Sequence, residues 1–244
     1  MREKYGIDAP GVVRTFAALG VVLTVVSGFV YALANAWWAY VIATVLLLTA
    51  LTLLTQSLWM VYSSLVGKRR VWERALADLP LRGDERVIEV GPGRGAVLVT
   101  AARRIPSGRL AGVDIWRPQD QSGNGREALL ANARAAGVAD RVDAHDGDMR
   151  QLPFPDNDFD LALASLAIHN LPPADRAGAV TELARVVRPG GHIVILDFEA
   201  TAGYADALRA AGASDVRVSG LHWSMHPPTR VVTAEASRPS RTAS

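Results

Sequence analysis

Fifty-three consecutive residues, 15–67, carry no charged side chain. A helix rises about 1.5 Å per residue, so such a run would extend about 80 Å, far beyond the roughly 30 Å of one bilayer core. Two spans with a break between them satisfy both lengths. The break falls in "YALANAWWAY", where Asn35 is a weak helix former and Tyr31, Trp37, Trp38 and Tyr40 form an aromatic belt. The pattern predicts transmembrane helices at about 12–33 and 38–65, with Trp59 and Tyr62 as a second belt one span away. Two adjacent uncharged runs argue against buried helices of a soluble protein, and the first is too long for a cleaved signal peptide. Arg2, Lys4 and Arg14 flank the first span and Lys68, Arg69 and Arg70 the second, whereas the connecting turn has no basic residue. The positive-inside rule then puts both termini, and everything after 67, on the cytoplasmic side of the cell membrane.

Beyond residue 67 the composition changes. The mixed-charge remainder is long enough to bury a core of its own. The expected organisation is a hairpin over 1–67, a globular domain over 68–236 and a disordered tail over 237–244. The net charge is only +2, and no basic stripe with interleaved aromatics is present, which argues against nucleic acid as a partner. With no cysteine, disulfides, thiol nucleophiles and cysteine-ligated zinc are excluded. His222 and His226 lie four apart, but between two closing strands and before Pro227 and Pro228, so no metal site is expected there. The small residues of "FAALG" and "SG" in the first span allow helices to pack, without fixing an oligomeric state.

From Val71 the apolar period alternates between helix and strand. "VWERALADL", "GAVLVTAARRI", "GREALLANARAAG" and "PPADRAGAVTELARVVRPGG" read as helices, the last with prolines at its start and Pro-Gly-Gly at its stop. A further short helix is expected around 204–211. "RVIEV", "RLAGVDI", "RVDAHDGD", "FDLALASLA" and "HIVILDF" read as strands, followed by "DVRVSGL" and "RVVTAEA" with no room for a crossover helix between them. Such a chain predicts an α/β fold with a doubly wound, mostly parallel sheet of seven strands, the last antiparallel. Ligands of such sheets sit at the carboxyl ends of the strands, near the switch point.

The turn "GPGRGA" after the first strand lies there. Gly91, Gly93 and Gly95, with Ala96, satisfy a dinucleotide pattern as well as G-x-G-x-G. Glu89, two residues before the first glycine, disfavours an anionic pyrophosphate and suits a ligand with a cationic portion. Asp114 ends the second strand, where a carboxylate can accept from both ribose hydroxyls. Asp148 follows the third, from which it could accept from an adenine amino group, with Met149 and Ile115 sandwiching the ring. Together these describe a phosphate-free nucleoside with a positive charge.

On these residues the segment from about Leu81 to Glu235 resembles the class I S-adenosylmethionine-dependent methyltransferases. It is similar to the branch that includes the ubiquinone and menaquinone biosynthesis methyltransferases and many small-molecule enzymes. "VIEVGPGRG", "GVDI", "DGDMRQLPFPDNDFDLALASLAIHNL" and "LARVVRPGGHIVILDF" carry the likeness in order. It implies a Rossmann-like methyltransferase sheet and S-adenosylmethionine as cofactor. Glu89, Gly91, Gly93 and Gly95 would then line the methionine and ribose side, Asp114 would bind ribose, Asp148 and Met149 adenine, and Ser165 would lie near the methionine moiety. Two departures stand out: the membrane spans, and the long polar "WRPQDQSGNG" after Ile115, which either shapes the adenine side or caps the site.

Methyl transfer to a neutral oxygen or protonated nitrogen needs a base. His169 in "AIHNL", at the end of the fourth strand, is the catalytic candidate, with Asp197 and Glu199 next. A hairpin running straight into the domain implies an integral-membrane methyltransferase. It would take a small, lipophilic or membrane-associated acceptor at the cytoplasmic face, with the lipid bilayer itself as a partner. The alternatives are a membrane-anchored nucleoside-binding protein without turnover and, against Glu89 and Asp148, a nicotinamide-dependent oxidoreductase.

Overall fold

The computed structural model describes residues 3–117 and 120–237. Helices α1 (Pro10–Leu33) and α2 (Trp37–Tyr62) form an antiparallel hairpin, both long and apolar enough to cross a membrane. Their facing side chains are small and recur every seven residues: Val13, Gly20 and Ser27 on α1, Ala43, Ala50 and Ser57 on α2. That is the spacing of a two-helix seam. A Cβ on Gly20 would come within 2.7 Å of Leu54. The close approach lets the Ser27 hydroxyl donate to the Ala43 carbonyl at 2.7 Å and the Ser57 hydroxyl to that of Val13 at 3.2 Å. In an apolar surround, backbone proximity and such hydrogen bonds replace the hydrophobic drive available in water. Gly20 of "FAALG" and Ser27 of "SG" are thus used inside the hairpin.

The second helix continues past 65. A π turn, Ser63–Gly67, leads without a break into α3 (Lys68–Ala77), so one helical rod runs Trp37–Ala77. The expected division at 67 falls inside this rod.

The remaining elements alternate as the periodicity predicts: β1 (Arg86–Val90), α4 (Ala96–Arg104), β2 (Arg109–Asp114), α5 (Arg126–Ala135), β3 (Val142–Asp146), β4 (Phe159–Ser165), α6 (Pro173–Val186), β5 (Val187–Asp197), α7 (Thr201–Ala210), β6 (Ser214–Val218) and β7 (Arg230–Glu235). The seven strands form one sheet in the order β3-β2-β1-β4-β5-β7-β6. All neighbours are parallel except β7, which runs against both β5 and β6. Consecutive strand residues serve opposite faces. Val87, Leu161 and Leu163 pack with α3, α4 and α5, while Ile88, Ala162 and Ala164 pack with α6 and α7. β1 lies between β2 and β4, so the order reverses beside it and a crevice opens at its carboxyl end. Of the predicted disordered tail, 238–244 lies outside the described residues.

Candidate active site

The turn from β1 to α4 can only be made by glycines. Gly91, Gly93 and Gly95 have φ of 65°, 54° and 78°, a region that costs other residues roughly 1–2 kcal/mol. A Cβ on Gly91 would sit 2.5 Å from that of Ala167, and one on Gly93 2.5 Å from Gln121 Oε1. Gly91 and Gly93 border a pocket that Glu89, Asp114, Ile115, Met149 and Ser165 also line. Gly95 stands behind it as the cap of α4, against Leu129.

Glu89 is 1% exposed, and its Oε2 has no hydrogen-bond partner among the described residues. Burial pushes its carboxyl up to about 8, against the opposing pull of the Lys68 ammonium. Asp114 is also raised by burial, but less freely, because its oxygens accept from the backbone N–H groups of Trp116 at 2.8 Å and Gly93 at 3.1 Å. Ser165 ends β4 and accepts from Trp72 Nε1 at 2.9 Å, which ties α3 to the strand end.

Asp148 is placed differently from its neighbour Met149. Its carboxylate accepts from the Arg150 guanidinium at 2.6 Å and the Arg150 backbone N–H at 2.9 Å, and Arg150 holds it below the usual carboxylate range. It does not line the pocket, whereas Met149 does.

A second pocket, of about 190 Å³, adjoins the first and shares Asp8, Asp120, Leu166 and Asn170 with it. His169 opens into it, along with Ala9, Met60, Phe198, Met225, His226, Pro227 and Thr229. Sequence position alone ranks Asp197 behind His169 as an alternative base; the structure makes them one unit. Asp197 is fully buried and lies 2.9 Å from His169 Nδ1. It also accepts from the backbone N–H groups of His169 and Phe198 and from the Tyr204 hydroxyl. A carboxylate accepting from all sides puts the imidazole proton on Nδ1 and leaves Nε2 as an acceptor. Glu199 is ion-paired with Arg176 instead. His222 and His226 part company, the first to the Ser219 hydroxyl and the second against the Trp59 ring.

Three residues of the first pocket carry no functional signal in the sequence pattern used above. Lys68 counts there as flanking charge, yet it is buried and lines the pocket, paired with Asp8 at 2.6 Å. Helical spacing could have found it, since 68, 72 and 76 share one face of α3 and the other two are Trp72 and Leu76, both buried. Asp8 and Gln121 had no local signal. Residues before α1 turn back along 120–122: Ser122 donates its N–H to the Ile7 carbonyl at 3.1 Å, and the Ile7 N–H donates to the Ser122 hydroxyl at 2.9 Å. Gln121 then accepts from the Arg94 N–H at 2.7 Å and donates to Asp8 at 3.1 Å. Gln121 and Ser122 of the polar segment thus brace the glycine turn against the chain entering the hairpin.

Comparison with known proteins agrees with this geometry. A family profile described as a methyltransferase domain matches residues 88–195. The 27-O-demethylrifamycin SV methyltransferase of Amycolatopsis mediterranei is 32% identical over 160 residues, covering 62% of this chain and 55% of its own. The ubiquinone/menaquinone biosynthesis C-methyltransferase UbiE of Roseobacter denitrificans is 33% identical over 134 residues, covering 54% and 50%. The chain therefore spans about half the length of the curated relatives it matches. Among solved structures, the cyclase SpnF shares the fold at a TM-score of 0.58 and 21% identity, over 70% of this chain and 81% of its own. Strand order, the glycine turn between two acidic strand ends and these relatives together make residues 88–195 a methyltransferase domain, similar to those of the class I S-adenosylmethionine-dependent methyltransferases.

Proposed function

We propose that the chain is a membrane-anchored methyltransferase that acts at the cytoplasmic face on a small lipophilic acceptor. One observation carries the reading: the pocket at the glycine turn adjoins a second pocket whose walls include Ala9, at the entrance of the apolar hairpin, and Met60 within it. The residues fit the family's cofactor, because a buried carboxyl with one oxygen unpartnered among the described residues suits a cationic amino-acid group better than a phosphate. When bound, S-adenosylmethionine supplies an activated methyl group. Glu89 would hold its ammonium, Asp114 the ribose hydroxyls, and Ile115 and Met149 the two faces of the adenine. Ser165 and the bare backbone of Gly91 and Gly93 would give it room. Asp148 could reach the adenine amino group only while sharing its carboxylate with Arg150.

On the acceptor side, Met60, Leu166, Phe198 and Met225 offer an apolar wall, while Thr229 Oγ1 and His226 Nδ1 are buried without partners among the described residues. An apolar acceptor carrying a hydroxyl or amine matches both. His169 Nε2 would take the proton the acceptor loses, and Asp197 would hold the ring in the accepting tautomer and stabilise the imidazolium that forms. Much of the rate would come from holding the acceptor against the methyl group and keeping water out, a proximity effect of about 7–11 kcal/mol at most. Mass spectrometry of lipid extracts from cells with and without the gene, fed methyl-labelled methionine, tests this. A labelled lipid should vanish with the gene. Identical labelled profiles, alongside unchanged S-adenosylmethionine binding by the purified protein, would reduce the chain to a binding protein.

A further inference from the structure

The loop between β6 and β7 is built for contact with something other than the sheet. Its residues 219–229 include no Asp, Glu, Lys or Arg. Both its histidines are pushed below their ordinary value by burial, which disfavours their charged form. The loop climbs the second helix of the hairpin. The Ser224 carbonyl lies where a Cβ on Gly67 would be, the His226 N–H donates to the Ser63 hydroxyl at 3.0 Å, and the His226 ring meets that of Trp59 edge-on at 4.7 Å. Residues 67, 63 and 59 are successive turns of one helix face, so the loop follows the rod for about 12 Å toward its apolar middle. While Met225 is buried beneath it, Trp223 is 64% exposed and Leu221 42%. Phe198, its ring tilted against that of His169 at 4.5 Å, is exposed at the neighbouring pocket.

A bare tryptophan and leucine, on an uncharged loop whose residues 224–226 pack along the rod between Gly67 and the Trp59 belt, have the chemistry of the headgroup boundary. We propose that the loop 219–229 is a third membrane element, lying in the bilayer interface with Trp223 and Leu221 inserted and the mouth of the His169 pocket beside them. The inference rests on the hairpin spanning the bilayer. It adds that the domain is pressed onto the lipid surface, so an acceptor reaches His169 without crossing water.

The chain contains no cysteine, so single labels can be placed at will. Trp223→Cys, Leu48→Cys in the middle of α2 and Asp206→Cys on the exposed face of α7 would each carry an environment-sensitive fluorophore. The full chain would be reconstituted in phosphatidylcholine vesicles containing nitroxide-bearing lipid. Loss of fluorescence at 48 and 223 but not at 206 is the expected result. Quenching at 48 alone would overturn the loop's membrane contact and leave the hairpin standing. No quenching at any position would overturn both. Because Trp223 is exposed, its replacement spares the core, and retained S-adenosylmethionine binding by the labelled protein checks that.

Discussion

The two adjoining pockets are made of opposite materials. The one at the glycine turn gathers charge: Glu89, Asp114, Lys68 and Asp8 stand at strand and helix ends with backbone N–H groups between them. Apart from the shared Asp8 and Asp120, the one at His169 has apolar side chains and uncharged polar groups, drawn from the hairpin, the β4 end and the β6–β7 loop. A charged ligand is favoured on one side and an apolar one on the other. Asp8, Asp120, Leu166 and Asn170 form the seam where the two would meet. A site divided this way can hold a water-soluble donor and a lipid-soluble acceptor at once, each in surroundings like those it came from.

The division can be broken first at the turn. Gly91→Val places a side chain where Ala167 already sits, in a backbone region closed to β-branched residues. Calorimetry should show S-adenosylmethionine binding lost altogether, and binding near the native level would refute the placement. Next comes the chemistry. His169→Ala should lower kcat by about 10²–10⁴, the range of a general base, with little change in the donor's Kd. Asp197→Asn should instead shift the pH profile of kcat, and a kcat/KM untouched by either change would remove the pair from the mechanism.

Smaller effects sharpen the contrast. Glu89→Gln should weaken S-adenosylmethionine binding by about 1.5–3 kcal/mol, the worth of a hydrogen bond to a charged group. Because burial pushes Glu89 up to about 8, native affinity should rise as pH climbs toward that value, where the ligand's own α-ammonium begins to lose its proton, and the variant should lack the rise. The same shift affects folding with a definite sign. Between the ordinary 4.5 and about 8 the folded protein binds a proton that the unfolded chain has released, so stability falls as pH rises across that window. Thermal melts of Glu89→Gln should lose that slope; parallel melting curves for both proteins would contradict the burial argument. Smallest of all, Thr229→Val keeps the shape of a fully buried side chain and deletes its unpartnered hydroxyl. It should raise the acceptor's KM severalfold, in line with about 0.5–1.5 kcal/mol for a neutral hydrogen bond, while the donor's Kd stays fixed.

The donor side is legible in the sequence because its residues are set by position along single strands. Glu89, Asp114 and Ser165 fall at or beside strand ends, and apolar alternation locates strand ends. Asp148 shows the limit of that logic. Its place after β3 follows from the strand pattern, but Arg150 two residues later takes its carboxylate, and pairing between exposed side chains leaves no trace in periodicity. The acceptor side is legible only at His169. Ala9, Met60 and Met225 meet there through contacts between residues far apart in the chain, and Lys68 changes from flanking charge to pocket wall only because α2 and α3 are one rod. The Asp197–His169 pairing needs the register of β5 against β4, which no single strand reveals.

That rod, Trp37–Ala77, carries Trp72 beneath the end of β4 and the small-residue seam of the hairpin at its other end. Under the proposed function, an enzyme joined to its anchor by a stiff shaft, rather than a flexible tether, would meet its acceptor in two dimensions. For such an enzyme the governing quantity is the mole fraction of acceptor among lipids, and stirring more solvent around the vesicles changes nothing. Diluting the bilayer with inert lipid at constant total acceptor should slow turnover in proportion, as it would for a reaction confined to a surface.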